Sequence, residues 1–542
     1  MNQVKKVFGI DLGTTYSCVA FVDEYGKALV LNNIDNQPTT PSVVYFNEKS
    51  NKVEVGKIAK EASKINPDFT VSFIKRQMSN NDAFNKPTDF PTKKPAKYTE
   101  GCTPTEISAF ILKKIVKDAN DAWKEIYPDD AKLIEKNPIK QVVITCPAYF
   151  NTAERERVKE AGKLAGLKVL SIIEEPVAAA VSYGIKIKSN QTVLVYDLGG
   201  GTFDVTLIKI SEDKMEVIDK RGNSRLGGYD WDKKLAEYLL SEYNRKKHTK
   251  YELQEGTALF NEIMLTAEDV KQTLTKRDST EARVTVNNET EEIPVTRATF
   301  EEKTKIFLDE TIKLTHKAVE FGEENGVENI DEILLVGGSS YMPQVRDRLK
   351  SEFNKEPKLA DPHQSVAKGA AVYAQDLARE DDDGEKTLGI SERFINVTSK
   401  NYGTDFTYKG ETKTWVQNII FASTPIENGL CQREFSGFSV SEGAAESHRL
   451  RFVIYESDIR DDVYDPSRGE KIMEQTIPLA SYVQAGDKMK VVFKIDAENI
   501  LHVHSEIEGM QEKFEFDVPL KGTMSQKELE HGTAVIASIK TE

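Results

Sequence analysis

Two glycine turns built on Asp-Leu-Gly constrain this chain more than any other feature. The first, Val7-Phe8-Gly9-Ile10-Asp11-Leu12-Gly13-Thr14-Thr15-Tyr16, runs into the apolar stretch Ser17 to Val22. The second, Val193-Leu194-Val195-Tyr196-Asp197-Leu198-Gly199-Gly200-Gly201-Thr202-Phe203-Asp204, runs into Val205 to Ile210. In each, a β-branched run ends in a carboxylate, passes glycine and hydroxyl residues, and enters a second strand. Glycine lets the backbone turn tightly and bring its N–H groups against an anion. A carboxylate beside that cradle can hold a divalent cation through water, as suits magnesium on substrate phosphates. The pattern predicts one nucleotide clamped by two related half-sites. Either turn alone is an ordinary β-hairpin just as readily; the repetition, with aspartate and threonine in matching places, favours the clamp. Neither G-x-x-x-x-G-K-[ST] nor a helix-opening G-x-G-x-x-G is present.

A third turn follows the same logic. Ile333-Leu334-Leu335-Val336 reads as a buried strand that enters Gly337-Gly338-Ser339-Ser340, and Met342-Pro343 then opens a helix, with proline near the first turn where it is tolerated. Such a junction allows close backbone approach to a ligand, although many α/β proteins contain one.

The 542 residues leave room for about three or four folding units. Acidic residues outnumber basic ones, 88 to 73, for a net charge of −15, which argues against generic binding to nucleic acid or anionic membrane. No stretch approaches the ~18 consecutive apolar residues of a membrane span, and Lys5-Lys6 leads straight into the first strand without a secretory apolar region. Cys18, Cys102, Cys146 and Cys431 are scattered, forming neither a disulfide framework nor a zinc motif. A reducing, cytoplasmic setting is the expectation.

Residues 1–380 alternate strand-like and helix-like stretches, as an α/β architecture does. Thr103-Pro104-Thr105-Glu106 has the form of a capping box, and behind it Ile107, Phe110, Ile111 and Ile115 share one helical face. A second long helix is expected over Phe260 to Leu274. Asp381-Asp382-Asp383-Gly384-Glu385 breaks the pattern like an exposed boundary. After about residue 395 the period becomes two: Leu450, Phe452 and Ile454 alternate with Arg449, Arg451 and Val453. Met489, Val491, Phe493 and Ile495 alternate with Lys488, Lys490 and Lys494, before the turn Asp496-Ala497-Glu498-Asn499 and Leu501-His502-Val503-His504. Half-buried antiparallel strands of this kind predict a β-sandwich to about Leu520.

The three turns, in this order and spacing, resemble the actin–hexokinase–heat-shock ATPase superfamily, and within it most closely the seventy-kilodalton heat-shock chaperones. Val142 to Asn151, Ile172 to Ala180, Leu226-Gly227-Gly228-Tyr229-Asp230 and Val366 to Ala371 match further segments of that family, and the hairpin Phe493 to Val503 matches its substrate-binding β-domain. The resemblance implies a two-lobed actin-like (ribonuclease H-like) ATPase domain over residues 1–380, a linker over 381–397, an antiparallel β-sandwich over 398–521 and a short tail over 522–542, without the family's helical lid.

It also implies roles for particular residues. Asp11 and Asp197 would hold Mg2+ through its waters, with Glu175 nearby. Gly13, Thr14, Thr15 and Tyr16, with Gly199, Gly200, Gly201 and Thr202, would wrap the phosphates of ATP or ADP. Thr202 and Asp204 would place the attacking water and a monovalent cation such as K+. Lys75 would be the catalytic lysine; from its neighbours Ser72-Phe73-Ile74 and Arg76 alone it reads as an ordinary surface lysine. Glu175, similarly, could be only a helix-start carboxylate beside Pro176. Gly228, Glu268, Lys271 and Thr275, with Gly337, Gly338, Ser339 and Tyr341, would enclose the adenosine. Pro147 and Arg155 correspond to a switch that relays nucleotide state, or else to a strand-ending proline and a solvated arginine.

Departures from the family accompany these matches. Gln272 and Tyr341 stand where arginines usually stack on adenine, and His363 replaces an aspartate; Tyr341 can still stack on a base. The apolar linker is interrupted by Ser391, Glu392 and Arg393, leaving Phe394, Ile395 and Val397 as a minimal version. In the diverged stretch Gln432 to Glu442, Phe435, Phe438 and Val440 could line a peptide cleft or belong to the sandwich core.

The implied function is an ATP-hydrolysing chaperone that binds unfolded or extended peptide segments, with a J-domain co-chaperone and a nucleotide exchange factor as candidate partners, and no nucleic acid or membrane. The alternative is a nucleotide-binding regulatory or co-chaperone module with one dedicated partner and weak or absent peptide-coupled hydrolysis. A small-molecule kinase shares the core fold but needs a substrate-facing base and no sandwich.

Overall fold

The apolar strand Phe8–Asp11 pairs antiparallel with Tyr16–Val22 on one side and parallel with Gln141–Cys146 on the other. Its first three residues are buried, so it lies at the centre of a sheet. That sheet runs Ala28–Leu31, Tyr16–Val22, Phe8–Asp11, Gln141–Cys146, Lys168–Glu174. Gln191–Leu198 repeats the arrangement, antiparallel to Phe203–Ile210 and parallel to Glu332–Val336. The second sheet continues through Met215–Asn223 on one flank and Lys358–Leu359 on the other. Two sheets with one strand order, each with an Asp-Leu-Gly turn at the end of its central strand, form the two lobes expected of an actin-like fold. The computed structural model describes residues 6–47, 49–50, 52–78, 102–184, 190–211, 214–359, 361–380, 394–427, 429–496, 500–507, 513–518 and 523–542.

Helices cover each lobe. The capping box at Thr103 forms as the sequence predicts and opens Pro104–Ile126, whose apolar face is buried on the first sheet. The expected helix near residue 260 spans Ala258–Leu274, with Thr257 as its cap. Between the lobes Ser365–Glu380 crosses Glu175–Gly184 closely enough that a Cβ on Gly369 would sit 1.7 Å from the Ala178 carbonyl oxygen. A small sheet of Lys52–Val55, Val44–Asn47 and Thr70–Val71 rides on the first lobe.

The period-two region forms two antiparallel sheets face to face. One holds five strands, Val463–Tyr464, Thr414–Ile420, Asn401–Thr407, Arg449–Ser457 and Glu470–Pro478; the other holds Leu430–Ser439, Lys488–Asp496, Leu501–Ile507 and Phe514–Asp517. Phe452, Ile454, Val491, Phe493, Leu501 and Val503 fill the space between them. Val453, on the face expected to be polar, is also buried, because it meets Val416, Tyr455 and Tyr464 in a second small cluster. Of the divergent stretch, Phe438 and Val440 are core and Phe435 packs against it half-buried.

The linker stretch 381–393 lies outside the described residues. Its last residues form the strand Phe394–Val397, which pairs parallel with Met215 and Glu216 at the edge of the second sheet. Phe394 and Ile395 make this pairing despite the polar interruption before them, while Asn396 and Val397 pair antiparallel with Ile426 and Pro425. The stretch expected to be a short tail contains a helix, Gln526–Ser538, opened by a Ser525–Glu528 capping box. Ile536 and Ile539 from this segment join the core of the first lobe.

Candidate active site

The two Asp-Leu-Gly turns face one another at the closest possible range. A Cβ on Gly200 would lie 1.6 Å from Thr15 Oγ1, and one on Gly201 would lie 2.3 Å from Thr14 Cγ2. Only glycine fits here, which leaves main-chain N–H groups of the second turn beside hydroxyls of the first. Thr15 Oγ1 is buried with no hydrogen-bond partner among the described residues. Beneath lies the Gly227-Gly228 turn, whose Gly228 and Tyr229 N–H groups donate to Gly199 and Gly200 carbonyls at 3.0 and 2.7 Å. The third turn closes from the side: Gly337 has φ 81°, and a Cβ there would lie 2.5 Å from Asp197 Oδ1. Ser339 Oγ faces Gly228.

Four carboxylates crowd around one lysine below this cradle. Lys75, only 3% exposed, hydrogen-bonds Glu175 through its ammonium group. It sits on the short turn Ile74–Gln77, entered through Phe73 at φ 57°. Asp11 accepts from Thr145 Oγ1 at 3.2 Å, and burial, with Glu175 nearby, pushes its carboxyl up to about 7 against the pull of Lys75. Burial also raises Asp197, joined by Glu175, Asp204 and Asp11. Asp204 is driven up to about 8 by burial and Glu175, although it accepts the Tyr149 N–H at 3.0 Å. This is a site short of positive charge, and a divalent cation with phosphates fits it. Among the described residues no three His, Cys, Asp or Glu side chains converge as direct metal ligands.

The residues expected around the nucleoside are engaged with one another. Lys271 donates to Asp232 at 2.7 Å and to the Gly228 carbonyl at 3.3 Å. Among the described residues Asp232 Oδ1 has no partner, and burial lifts that carboxyl to about 6. Glu268 accepts from Lys60 at 2.6 Å, and the Tyr16 hydroxyl donates to it at 3.3 Å; the Tyr16 side chain therefore joins the rim of the cleft rather than the turn. Thr275 caps its helix and donates to the Gln272 carbonyl at 2.6 Å. Tyr341, 40% exposed, stacks on His363 with centroids 5.1 Å apart and planes 29° apart. Burial holds His363 below its usual range. Sequence reasoning missed Lys60, Asp232 and Thr145 as site residues. Thr145 stands within the matching segment Val142 to Asn151 without a role read for it; Lys60 and Asp232 lie in no motif, and only tertiary folding sets Lys60, on the first lobe, opposite Glu268 on the second.

A family model described as Hsp70 protein matches residues 7–389. The chain is 34% identical over 519 residues to the chaperone protein DnaK of Thermosipho melanesiensis, covering 93% of this chain and 78% of that one. To the DnaK of Thermotoga maritima it is 34% identical over 540 residues, 96% of this chain and 82% of the other. The DnaK of Cyanophora paradoxa is 33% identical over 556 residues, at 97% and 82% coverage. The chain belongs to the Hsp70 family. It is an ATP-dependent molecular chaperone with ATPase activity, and the alternative of a regulatory module without peptide-coupled hydrolysis is not favoured. The family binds ATP and ADP with Mg2+, and DnaK-like chaperones bind unfolded peptides and co-chaperones. Among the described residues no helix is long and apolar enough to cross a membrane.

In this Hsp70 chain the sandwich is docked on both lobes. Arg155 donates to the Phe150 and Ala148 carbonyls at 3.0 and 3.1 Å, to Glu174 at 2.6 Å and to Ser399 of the sandwich at 3.3 Å. Glu174 also accepts from Lys220 of the second sheet at 2.8 Å and from Asn396 at 3.0 Å. Burial raises the Glu174 carboxyl, yet Lys220 and Arg155 outweigh it and hold it below the usual range. Arg155 is thus buried and bridges the first lobe and the sandwich, with Glu174 extending the network to the second sheet, and it is not a solvated arginine beside Pro147. Arg460 of the sandwich adds a contact to Asp219 at 3.1 Å and lies 4.4 Å over the Phe321 ring.

Proposed function

We propose that ATP binds between the two Asp-Leu-Gly turns of a unit spanning residues 1–380, and that the sandwich of residues 398–521, joined through 381–397, takes extended peptide. The observation that carries the first half is the cradle: Gly200 and Gly201 against Thr15 and Thr14, with an unpartnered buried hydroxyl and a carboxylate set around Lys75. Hydrolysis of a γ-phosphate requires positioning and charge neutralisation more than covalent chemistry. Gly13, Thr14, Thr15 and the Gly199 to Thr202 main chain hold the β- and γ-phosphates. Asp11 and Asp197 hold Mg2+ through water, and the bound ion neutralises phosphate charge. Lys75 approaches the transferred group, kept protonated and aimed by Glu175. Thr202 and Asp204 orient the attacking water, and K+ fits beside them as a second counter-charge. Glu268, Lys271 and Thr275 hold the ribose and base edge, with Gly337, Gly338, Ser339 and Tyr341 opposite.

For peptide, a ring cluster supports the reading. Phe406 meets Tyr408 at 4.9 Å and Phe438 at 6.0 Å, and Phe435 meets Phe438 at 4.7 Å. Tyr408 is 48% exposed, so the cluster offers an apolar surface beside exposed strand edges, as extended peptides need. A J-domain co-chaperone, an exchange factor and a cytoplasmic setting complete the proposal.

Single-turnover ATP hydrolysis by wild type and Lys75→Ala, with and without a pool of unstructured peptides, tests it. Slow wild-type hydrolysis, raised by peptide and reduced at least about a hundredfold in Lys75→Ala, is the expected result. Hydrolysis that survives the substitution removes Lys75 from the reaction, and a rate blind to peptide removes the sandwich from the cycle.

A further inference from the structure

The strand Lys52–Val55 is the outer strand of the small sheet on the first lobe, yet Val53 and Val55 are 2% and 4% exposed. Buried main-chain groups at a sheet edge need partners. Residues from the far side of the sandwich supply them. The Val53 N–H donates to the Lys540 carbonyl at 3.1 Å, the Glu542 N–H to the Val53 carbonyl at 2.9 Å, and the Val55 N–H to the Glu542 carbonyl at 2.8 Å. Val53 and Thr541 form a parallel bridge, and Lys52 pairs with the Glu542 carboxylate at 2.7 Å.

The path to that edge is also built. Beyond the last sandwich strand, the Met524 N–H donates to Glu160 of the first lobe at 2.7 Å. The helix Gln526–Ser538 then lies across Thr152–Leu164, where a Cβ on Gly532 would come 2.9 Å from Leu164 Cδ2. Lys113 ends the helix by donating to the Ile536 and Ile539 carbonyls at 2.7 and 2.6 Å. Ile536 and Ile539 are buried in the same core as Phe46 and Val53. On its other side the sandwich is held to the second lobe by Phe394–Val397 on Met215 and Glu216.

We propose that residues 523–542 are a strap: they add a fourth strand to the small sheet and so pin the sandwich to the first lobe, while Phe394–Val397 pins it to the second. The sandwich is then held at both ends by strand addition, one end per lobe, and a change in the angle between the lobes pulls on both. Freeing the sandwich requires the strap to leave the Lys52–Val55 edge.

Hydrogen exchange on the full chain tests this with two variants. Glu542→Pro removes the N–H given to Val53 without touching the core. Gly532→Leu wedges the helix away from Leu164 while improving its intrinsic helix propensity. In wild type the Val53 and Val55 amides are protected at every protein concentration; in both variants they exchange at least about tenfold faster, with ADP affinity retained as a check on the fold. Unchanged exchange at Val53 and Val55 in both variants overturns the strap. So does wild-type protection that is lost on dilution, since the strand would then come from a second copy of the chain. A further readout, resting on the peptide reading above, is release of a fluorescent unstructured peptide: acceleration by ATP falls several-fold in both variants. If wild type binds no peptide, that reading fails, and the exchange data still decide on the strap.

Discussion

Gly200 leaves no space for even one methyl group, since its Cβ would fall 1.6 Å from Thr15 Oγ1 and 2.7 Å from Thr15 Cβ. Gly200→Ala must push the two turns apart where phosphate is proposed to bind. The expected outcome is a loss of ADP affinity of at least about tenfold, or ~1.4 kcal/mol, read by titration with a fluorescent nucleotide while the melting transition stays close to wild type. Lys75 is a different case. It is the ammonium group bound to Glu175 within a cluster that also holds Asp11, Asp197 and Asp204. Its removal leaves buried carboxylates uncompensated, a kind of change that costs about 3–5 kcal/mol where one partner of a buried pair is deleted. Lys75→Ala should therefore lower thermal stability without nucleotide, as well as hydrolysis. Calorimetry that finds no loss of stability would mean that the cluster relaxes by taking up protons.

At the scale of elements, the two lobes share one helix crossing. Ser365–Glu380 packs on Glu175–Gly184, on Phe8–Asp11 and on Tyr16–Val22, and backbone meets backbone at Gly369 and Gly9. A methyl on Gly369 would strike the Ala178 carbonyl, which no rotamer change relieves. Gly369→Ala is expected to destabilise the ATPase unit by about 3 kcal/mol. Gly443, in the short sandwich helix Glu442–Ser447, has open space where its Cβ would go. There the same substitution should stabilise by ~0.5–1 kcal/mol. Urea unfolding of both variants, with probes in each unit, gives the contrast; equal effects would show that packing at the crossing is looser than its distances imply.

The whole molecule turns on the docking of the sandwich. Glu456 lies in that interface, accepting from Asn151 at 3.1 Å, with Lys400, Glu154, Glu470 and Tyr402 around it. Burial pushes its carboxyl up to about 7 from the ordinary 4.5, although Lys400 opposes the shift. Docking therefore binds a proton that an undocked, solvated Glu456 gives up. The contribution is fully present below about 4.5 and is lost as pH rises through about 7. Glu154 on the ATPase side is raised by burial as well and acts with the same sign. Energy transfer between labels on the sandwich and the first lobe should fall from pH 5 to pH 8, and Glu456→Gln should flatten that slope. A profile that rises with pH would exclude Glu456 as the controlling group.

Much of this was legible in the chain itself. The two Asp-Leu-Gly turns, the β-branched strands before them and the Thr103 capping box are local features, and local rules of glycine geometry, strand period and helix capping are enough to read them. The resemblance they carry pointed to the family, and the change of period after residue 395 marked the sandwich. Contacts between distant segments were not legible. Lys60 meets Glu268 and Lys220 shares Glu174 with Arg155 because separate lobes bring isolated charges together, and Asp232 lies under Lys271 because two helices of one lobe pack side by side; no spacing in the sequence records such meetings. The segment 523–542 is the clearest instance. Its residues specify a capped helix and then a short polar end, whereas its role as an edge strand depends on two buried valines, Val53 and Val55, whose main-chain groups lack partners until the fold is assembled. Local chemistry determined the turns, the strands and the family; the need to satisfy buried charge and buried backbone, which exists only after folding, decided how the units hold one another.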